Sequence, residues 1–313
     1  MFTFFNLTIR KQVLLLLSPL VLLVFFYSLT ALRQHNQEKE EAFAQLRVIN
    51  TTNKIRLTIH ELQKERGRTA SFLGISDEAS TQNLVKQRES ASKQTSTLAK
   101  DLENISTFKE LVNLKELVRK IEDNLKIIEP TRKRVDEKTI QAPEAIKFYN
   151  DLIQSLMVFE EKMFSSINNS ELKKIIYVVL ALEFIKESSG QERAIGSNQL
   201  KKKSFDLDMF IKLKHLGYKI SEEMNRIEST IDILLKSDFE KLKNNSKIEH
   251  MSDLRKKVYK NVQKNGLGDV ASDYWFESAT QAIDCIHQYN DKMAKKADQM
   301  RPFTELCQIT KMG

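Results

Sequence analysis

Between Gln12 and Leu32 the chain carries no charged residue, and the run VLLLLSPLVLLVFFYSLTAL, residues 13–32, is almost wholly apolar. A helix of that length at ~1.5 Å per residue spans ~30 Å, the thickness of a bilayer's hydrocarbon core. A cleavable signal peptide has a shorter apolar region and ends on small residues. Here the run exits through Tyr27-Ser28-Leu29-Thr30-Ala31-Leu32, which offers no such site. Pro19 would be costly in the middle of a soluble helix but is tolerated in a membrane one. The run is therefore read as an uncleaved transmembrane helix. Arg10 and Lys11 precede it with no acidic residue, so the positive-inside rule predicts a cytoplasmic N-terminus. The expected layout is a short cytoplasmic tail (1–12), the span (13–32), a long extracytoplasmic domain (33–300) and a C-terminal tail (301–313).

The long domain reads as helical. Eight glycines and four prolines in 313 residues are too few for sheets with tight turns. No Pro or Gly interrupts the sequence between the span and Gly67. Helices are predicted from Asp77 or Ser80 to about Leu102, from Ser106 to Ile128 with Pro130 as the stop, and from Pro143 past Phe164. Further ones fall at about 206–217, 220–244 and 251–262, with a last helix opening near Ser272. The stretch IIYVVLALEFI is too short to span a membrane and holds Glu183, so it reads as a buried core helix. The fold class is thus all-α: a transmembrane helix followed by about eight helices forming two four-helix bundles.

Composition removes several classes of function. Five scattered histidines and two cysteines, Cys285 and Cys307, have no metal-ligand spacing, and both thiols are expected to be free. No phosphate loop or nucleophile–His grouping is present, so neither catalysis nor a cofactor is expected. The net charge of +8 is spread along the helices among acidic residues, as on a solvated helical surface, and no nucleic-acid partner is expected.

Two segments break the pattern of an ordinary core. Ile55, Ile59, Leu62, Thr69 and Leu73 form a stripe whose missing member is Arg66, and no acid lies at i±3 or i±4 from it. Arg68, by contrast, has Glu65 at i−3 and reads as a surface pair. Ile175, Val179, Leu182, Lys186 and Ser189 set a second stripe that runs through Arg193, Gly196 and Leu200. Gly67, Gly190 and Gly196 lie near the two arginines, and a helical glycine costs ~1 kcal/mol relative to alanine. Arg66 and Arg193, with Gly67, Thr69, Ser189, Gly190 and Gly196 in support, are therefore candidates for a small-anion site, where planar guanidinium groups suit planar oxyanions. Spacing alone leaves a second possibility, a cross-helix pair with a Glu or Asp. The segments also match one another, Glu61-Leu62-Gln63-Lys64-Glu65 against Glu183-Phe184-Ile185-Lys186-Glu187, as a weak internal repeat.

HELQKERGRTASFLG, Gln87-Arg88, KESSGQERAIG and WFESATQAID resemble the nitrate- and nitrite-sensing (NIT) domain family over about residues 50–300. The resemblance implies two four-helix bundles, as found on bacterial chemoreceptors, sensor kinases and transcription antiterminators. It also implies nitrate or nitrite bound between Arg66 of Glu65-Arg66-Gly67 and Arg193 of Gln191-Glu192-Arg193. After ERG the family commonly carries a small apolar residue and Ser; this chain has Arg68 and Thr69. The expected protein is then a single-pass sensor of the bacterial inner membrane, with its domain periplasmic and its output carried by a homodimer or a separate signalling protein. The alternatives are a ligand-independent interaction or dimerisation module, or a chemoreceptor truncated before its output domain.

Overall fold

A computed structural model describes residues 8–75, 78–105, 113–165, 169–263 and 270–299. The described residues form ten α-helices and no strand: α1 (Ile9–Ile75), α2 (Glu78–Ile105), α3 (Lys115–Lys126), α4 (Ile128–Asp136), α5 (Ala142–Phe164), α6 (Ser170–Lys201), α7 (Leu207–Thr230), α8 (Ile233–Lys243), α9 (Ser246–Gln263) and α10 (Ser272–Gln299). The described residues divide into two compact units, one within Met1–Arg47, the other within Val48–Arg301.

In the first unit, the stretch Ile9–Glu40 of α1 has a mean hydropathy of 2.4 in its most apolar window, and none of that window is buried. Its large side chains, among them Leu14, Val21 and Phe26, stand in the open. It is the one segment among the described residues that is long and apolar enough to cross a membrane.

The second unit is built around α6. The predicted core helix is confirmed: Ile175, Ile176, Val178, Val179, Leu182 and Ile185 are all buried. Asn169 caps it, its side-chain oxygen accepting from the Leu172 N–H at 2.9 Å. The directions of its neighbours follow from paired contacts. Glu183 meets Asn290 and Gly196 meets Trp275, so α6 and α10 run antiparallel. Gln63 and Arg66 both reach Glu187, and Thr52 and Arg56 share a cavity with Ile176 and Val179, so α1 and α6 run parallel. The offset between them is about that of the internal repeat, so the repeated segments lie side by side. α5 is antiparallel to α1, Asn150 meeting Arg66 and Glu160 lying beside Thr52 and Arg56. Two buried apolar clusters draw on both α6 and α10: a large one holding Ile175, Leu182, Ile286 and Met293, and a smaller one holding Leu200, Trp275, Ala279 and Ala282.

Two boundaries differ from those predicted, and one aromatic of the last helix stands beside its buried seam. Pro130 does not end a helix: the chain breaks at Ile127, and Pro130 sits in the first turn of α4, where its missing N–H is not needed. The predicted break near residue 218 is absent and falls instead after Thr230, where Ile231 turns extended. Along α10 the buried seam is Trp275, Ala279, Ala282, Ile286, Tyr289 and Met293, so Phe276 is one position off it and exposed. Residues 106–112 and 300–313, including Cys307, lie outside the described set; Cys285 is a free thiol.

Gly196 is explained by this packing. A Cβ there would lie 2.2 Å from the Trp275 indole nitrogen, and Trp275 is fully buried. Gly196→Ala is expected to destabilise the unit by about 1–3 kcal/mol, because overpacking outweighs the gain in helix propensity. Urea denaturation followed by circular dichroism checks this.

Candidate functional site

The two candidate arginines stand within electrostatic reach of each other but in different states. Arg66 Nη1 donates to Glu187 Oε1 and Nη2 to Glu187 Oε2 at 3.1 Å, a two-pronged pair; Nη1 also donates to Asn150 Oδ1. The Glu187 carboxylate takes two further hydrogen bonds, from Gln63 Nε2 at 2.9 Å and Gln191 Nε2 at 2.7 Å. Of the two readings left open for Arg66 by spacing, the cross-helix pair is the one observed.

Arg193 has no such partner. Its Nη1 donates to the Thr280 hydroxyl at 2.9 Å, and its guanidinium carbon lies 4.7 Å from the centre of the Phe276 ring. No carboxylate pairs with it within 4 Å among the described residues. Burial lowers its basicity, the charge of Asp284 opposes this, and the like charge of Arg66 adds to it. Phe276, Thr280 and Asp284 recur every four residues on one face of α10, so the exposed Phe276 serves as the platform for this cation.

Of the supporting residues, Gly190 alone adjoins a guanidinium: a Cβ on it would sit 3.8 Å from Arg66 Nη2. The others are not placed as the sequence suggested. Gly67 is exposed with open space about it, and Gly196 makes room for Trp275. Thr69 is buried beside Tyr149, on the side of α1 that carries Glu65. Ser189 is buried with no hydrogen bond to either arginine among the described residues. The physical reason is register: positions one residue apart on a helix face directions ~100° apart, so neighbours in sequence serve different interfaces.

Glu65 is likewise not the surface partner of Arg68. It is fully buried and receives Arg132 Nε and Nη2, both at 2.7 Å, and the Tyr149 hydroxyl at 2.8 Å. Arg68 is exposed. Burial lowers the basicity of Arg132 but the pairing with Glu65 outweighs it and raises the pKa; burial first and Glu65 second raise that of Tyr149. On α6, Glu192 is similarly held by Arg255 from α9, through Nε and through Nη2 at 2.9 Å. The motif acids of Glu65-Arg66-Gly67 and Gln191-Glu192-Arg193 are thus structural, each clamping its helix to another and leaving the adjacent arginine to face elsewhere.

No cluster of three or more His, Cys, Asp or Glu side chains placed to hold a metal occurs among the described residues. A family model described as nitrate and nitrite sensing matches residues 57–298. No curated protein matches the sequence. Among solved structures, the chain is similar to one titled as the structure of the NasR transcription antiterminator, with a TM-score of 0.69 at 17% identity, covering 92% of this chain and 77% of that one. At that identity the likeness speaks to the fold.

Proposed function

Because this chain belongs to the nitrate- and nitrite-sensing (NIT) family, we propose that its unit Val48–Arg301 is a non-catalytic sensor that binds a small oxyanion, nitrate or nitrite, at Arg193 and Arg66. The observation that carries this reading is Arg193: a largely desolvated guanidinium, stacked on Phe276, with one hydrogen bond to Thr280 and no carboxylate paired to it among the described residues. Such a cation is costly unless an anion meets it. Arg66 lies within electrostatic reach of it and already holds the planar carboxylate of Glu187. A trigonal oxyanion offers the same planar geometry, so it can take Arg193 and compete with Glu187 for Arg66.

The apolar segment 13–32 supplies the anchor in this reading, with Arg10 and Lys11 inside and the sensory unit outside the cytoplasm. The sharing of α6 and α10 between two buried clusters supports two bundles that meet along those helices. Ligand exchange at Glu187 would alter the tie between α1 and α6, and a ligand shifts such an equilibrium by its difference in affinity for the two states.

Calorimetry on the full chain in lipid nanodiscs, with nitrate, nitrite and chloride, tests the proposal. Nitrate binding is expected, weakened at least about tenfold by Arg193→Ala, the loss of a charge-assisted hydrogen bond. Binding unchanged by Arg193→Ala overturns the assignment. The pair between Arg66 and Glu187 favours a second reading, a ligand-independent tethered module whose site is closed by its own carboxylate. Absence of any anion binding, with a partner retained by the Arg193→Ala chain, supports that one.

A further inference from the structure

Arg56 lies ten residues before Arg66 on α1, and Glu160 ten residues after Asn150 on the antiparallel α5. The helix pair that holds Arg66 against Asn150 therefore carries a second polar layer ~15 Å away. This layer lines a small cavity of about 20 Å³, whose wall also includes Ile176 and Val179 of α6 and Ala294 and Ala297 of α10. Its lining holds four buried polar atoms without a hydrogen-bond partner among the described residues: Thr52 Oγ1, Arg56 Nη1 and both carboxyl oxygens of Glu160. Glu160 is fully buried.

Buried polar groups without partners are rare, and several around one void indicate an occupant. A cavity of ~20 Å³ of this kind has room for one water and nothing larger than a small ion. The groups on offer decide the occupant. Arg56 donates, and Thr52 both donates and accepts. An ionised Glu160 would leave at least one fully buried charged oxygen without a partner, and Glu183 of α6 adds a like charge nearby. Arg56 from α1 and Lys186 from α6 oppose this, but Lys186 is itself held by Glu183 at 3.1 Å, and Glu183 also accepts from Asn290. Neutral Glu160 leaves only a carbonyl oxygen unmet, a smaller cost.

We propose that this cavity is a water-filled proton-binding site, in which one water molecule accepts hydrogen bonds from Arg56 and from the protonated carboxyl of Glu160 and donates one to Thr52. The site is distinct from the anion site and ties α1 to α5 in the core. Burial first, and the Glu183 charge second, raise the Glu160 pKa well above the ordinary carboxylate range, with Arg56 and Lys186 opposing. The sign for stability follows. A carboxyl raised in the folded state contributes fully below the ordinary carboxylate range, and the contribution is lost as pH rises through the folded value.

Glu160→Gln keeps the shape and the neutral state, so it separates the proton from the packing. With the full chain in nanodiscs, wild-type stability relative to Glu160→Gln is expected to fall progressively as pH rises from weakly acid to weakly alkaline. A difference independent of pH across that range overturns the proton. The water is read from a high-resolution crystal structure: a peak is expected within hydrogen-bond distance of Arg56 Nη1, Thr52 Oγ1 and Glu160, and lost in Thr52→Val. An empty cavity, or an anomalous peak there after a bromide soak, overturns the water. Nitrate calorimetry on Glu160→Gln keeps this test separate from that of the anion site.

Discussion

Replacing Arg132 with methionine is expected to destabilise the unit by about 3–5 kcal/mol, the range for breaking a buried ion pair by removing one partner. The reason lies in what remains. Glu65 has no exposed surface, and Arg132 supplies two of its three hydrogen bonds, the third coming from Tyr149. Arg88 Nε is 3.9 Å away, beyond hydrogen-bond distance, while its Nη1 donates to Asp136 at 2.8 and 2.9 Å. Arg132 also donates to Ser92, so α1, α2, α4 and α5 meet in one polar layer. A double change, Glu65→Leu with Arg132→Met, is expected to recover much of the loss, since the stranded charge is then gone. Chemical denaturation of both single variants and the pair gives the coupling. Additive losses would mean that the two residues act independently.

Glu187→Gln is expected to tighten nitrate binding about tenfold while lowering the stability of the ligand-free protein by roughly 1–3 kcal/mol. Both effects have one cause. Glu187 neutralises Arg66 internally, so its removal leaves Arg66 without its paired carboxylate and within electrostatic reach of Arg193. An added anion then meets a site that no longer competes with it. Saturating nitrate is further expected to raise the variant's unfolding midpoint more than that of the wild type, because a ligand that binds only the folded form stabilises it by mass action. Calorimetry and thermal unfolding with and without nitrate measure both. An unchanged affinity would show that Glu187 does not stand in the anion's place.

Much of this was legible in the sequence, and the limits were physical. The all-α class followed from scarce Gly and Pro, and α6 from an apolar run too short for a membrane. Arg66 and Arg193 stood out because each interrupts an apolar stripe. What periodicity along one helix does not contain is the register between helices. Glu187 lies 121 residues from Arg66, and nothing local marks it as the partner. Glu65 looked like a mate for Arg68 at i−3, yet a one-residue step turns it inward to Arg132. Phe276 lies beside the buried seam of α10, under Arg193. The WFESATQAID segment did carry a signal, since it contains Phe276, Thr280 and Asp284. Glu160 gave none, because an acid on an amphipathic helix normally faces water.

The carboxylate that closes on Arg66 also bears on how such a sensor reports concentration. A competitor fixed to the same protein does not dilute; it acts at an effective concentration of order millimolar or more. A free anion must exceed that handicap before the site is half filled. The midpoint of the response is then written into the tether as much as into the contacts with the anion. In the proposed sensor, traces of weakly held anions such as chloride would leave the site silent. Adjusting the geometry of Glu187, through Gln63 or Gln191, would move the detection threshold without touching the residues that recognise the ligand.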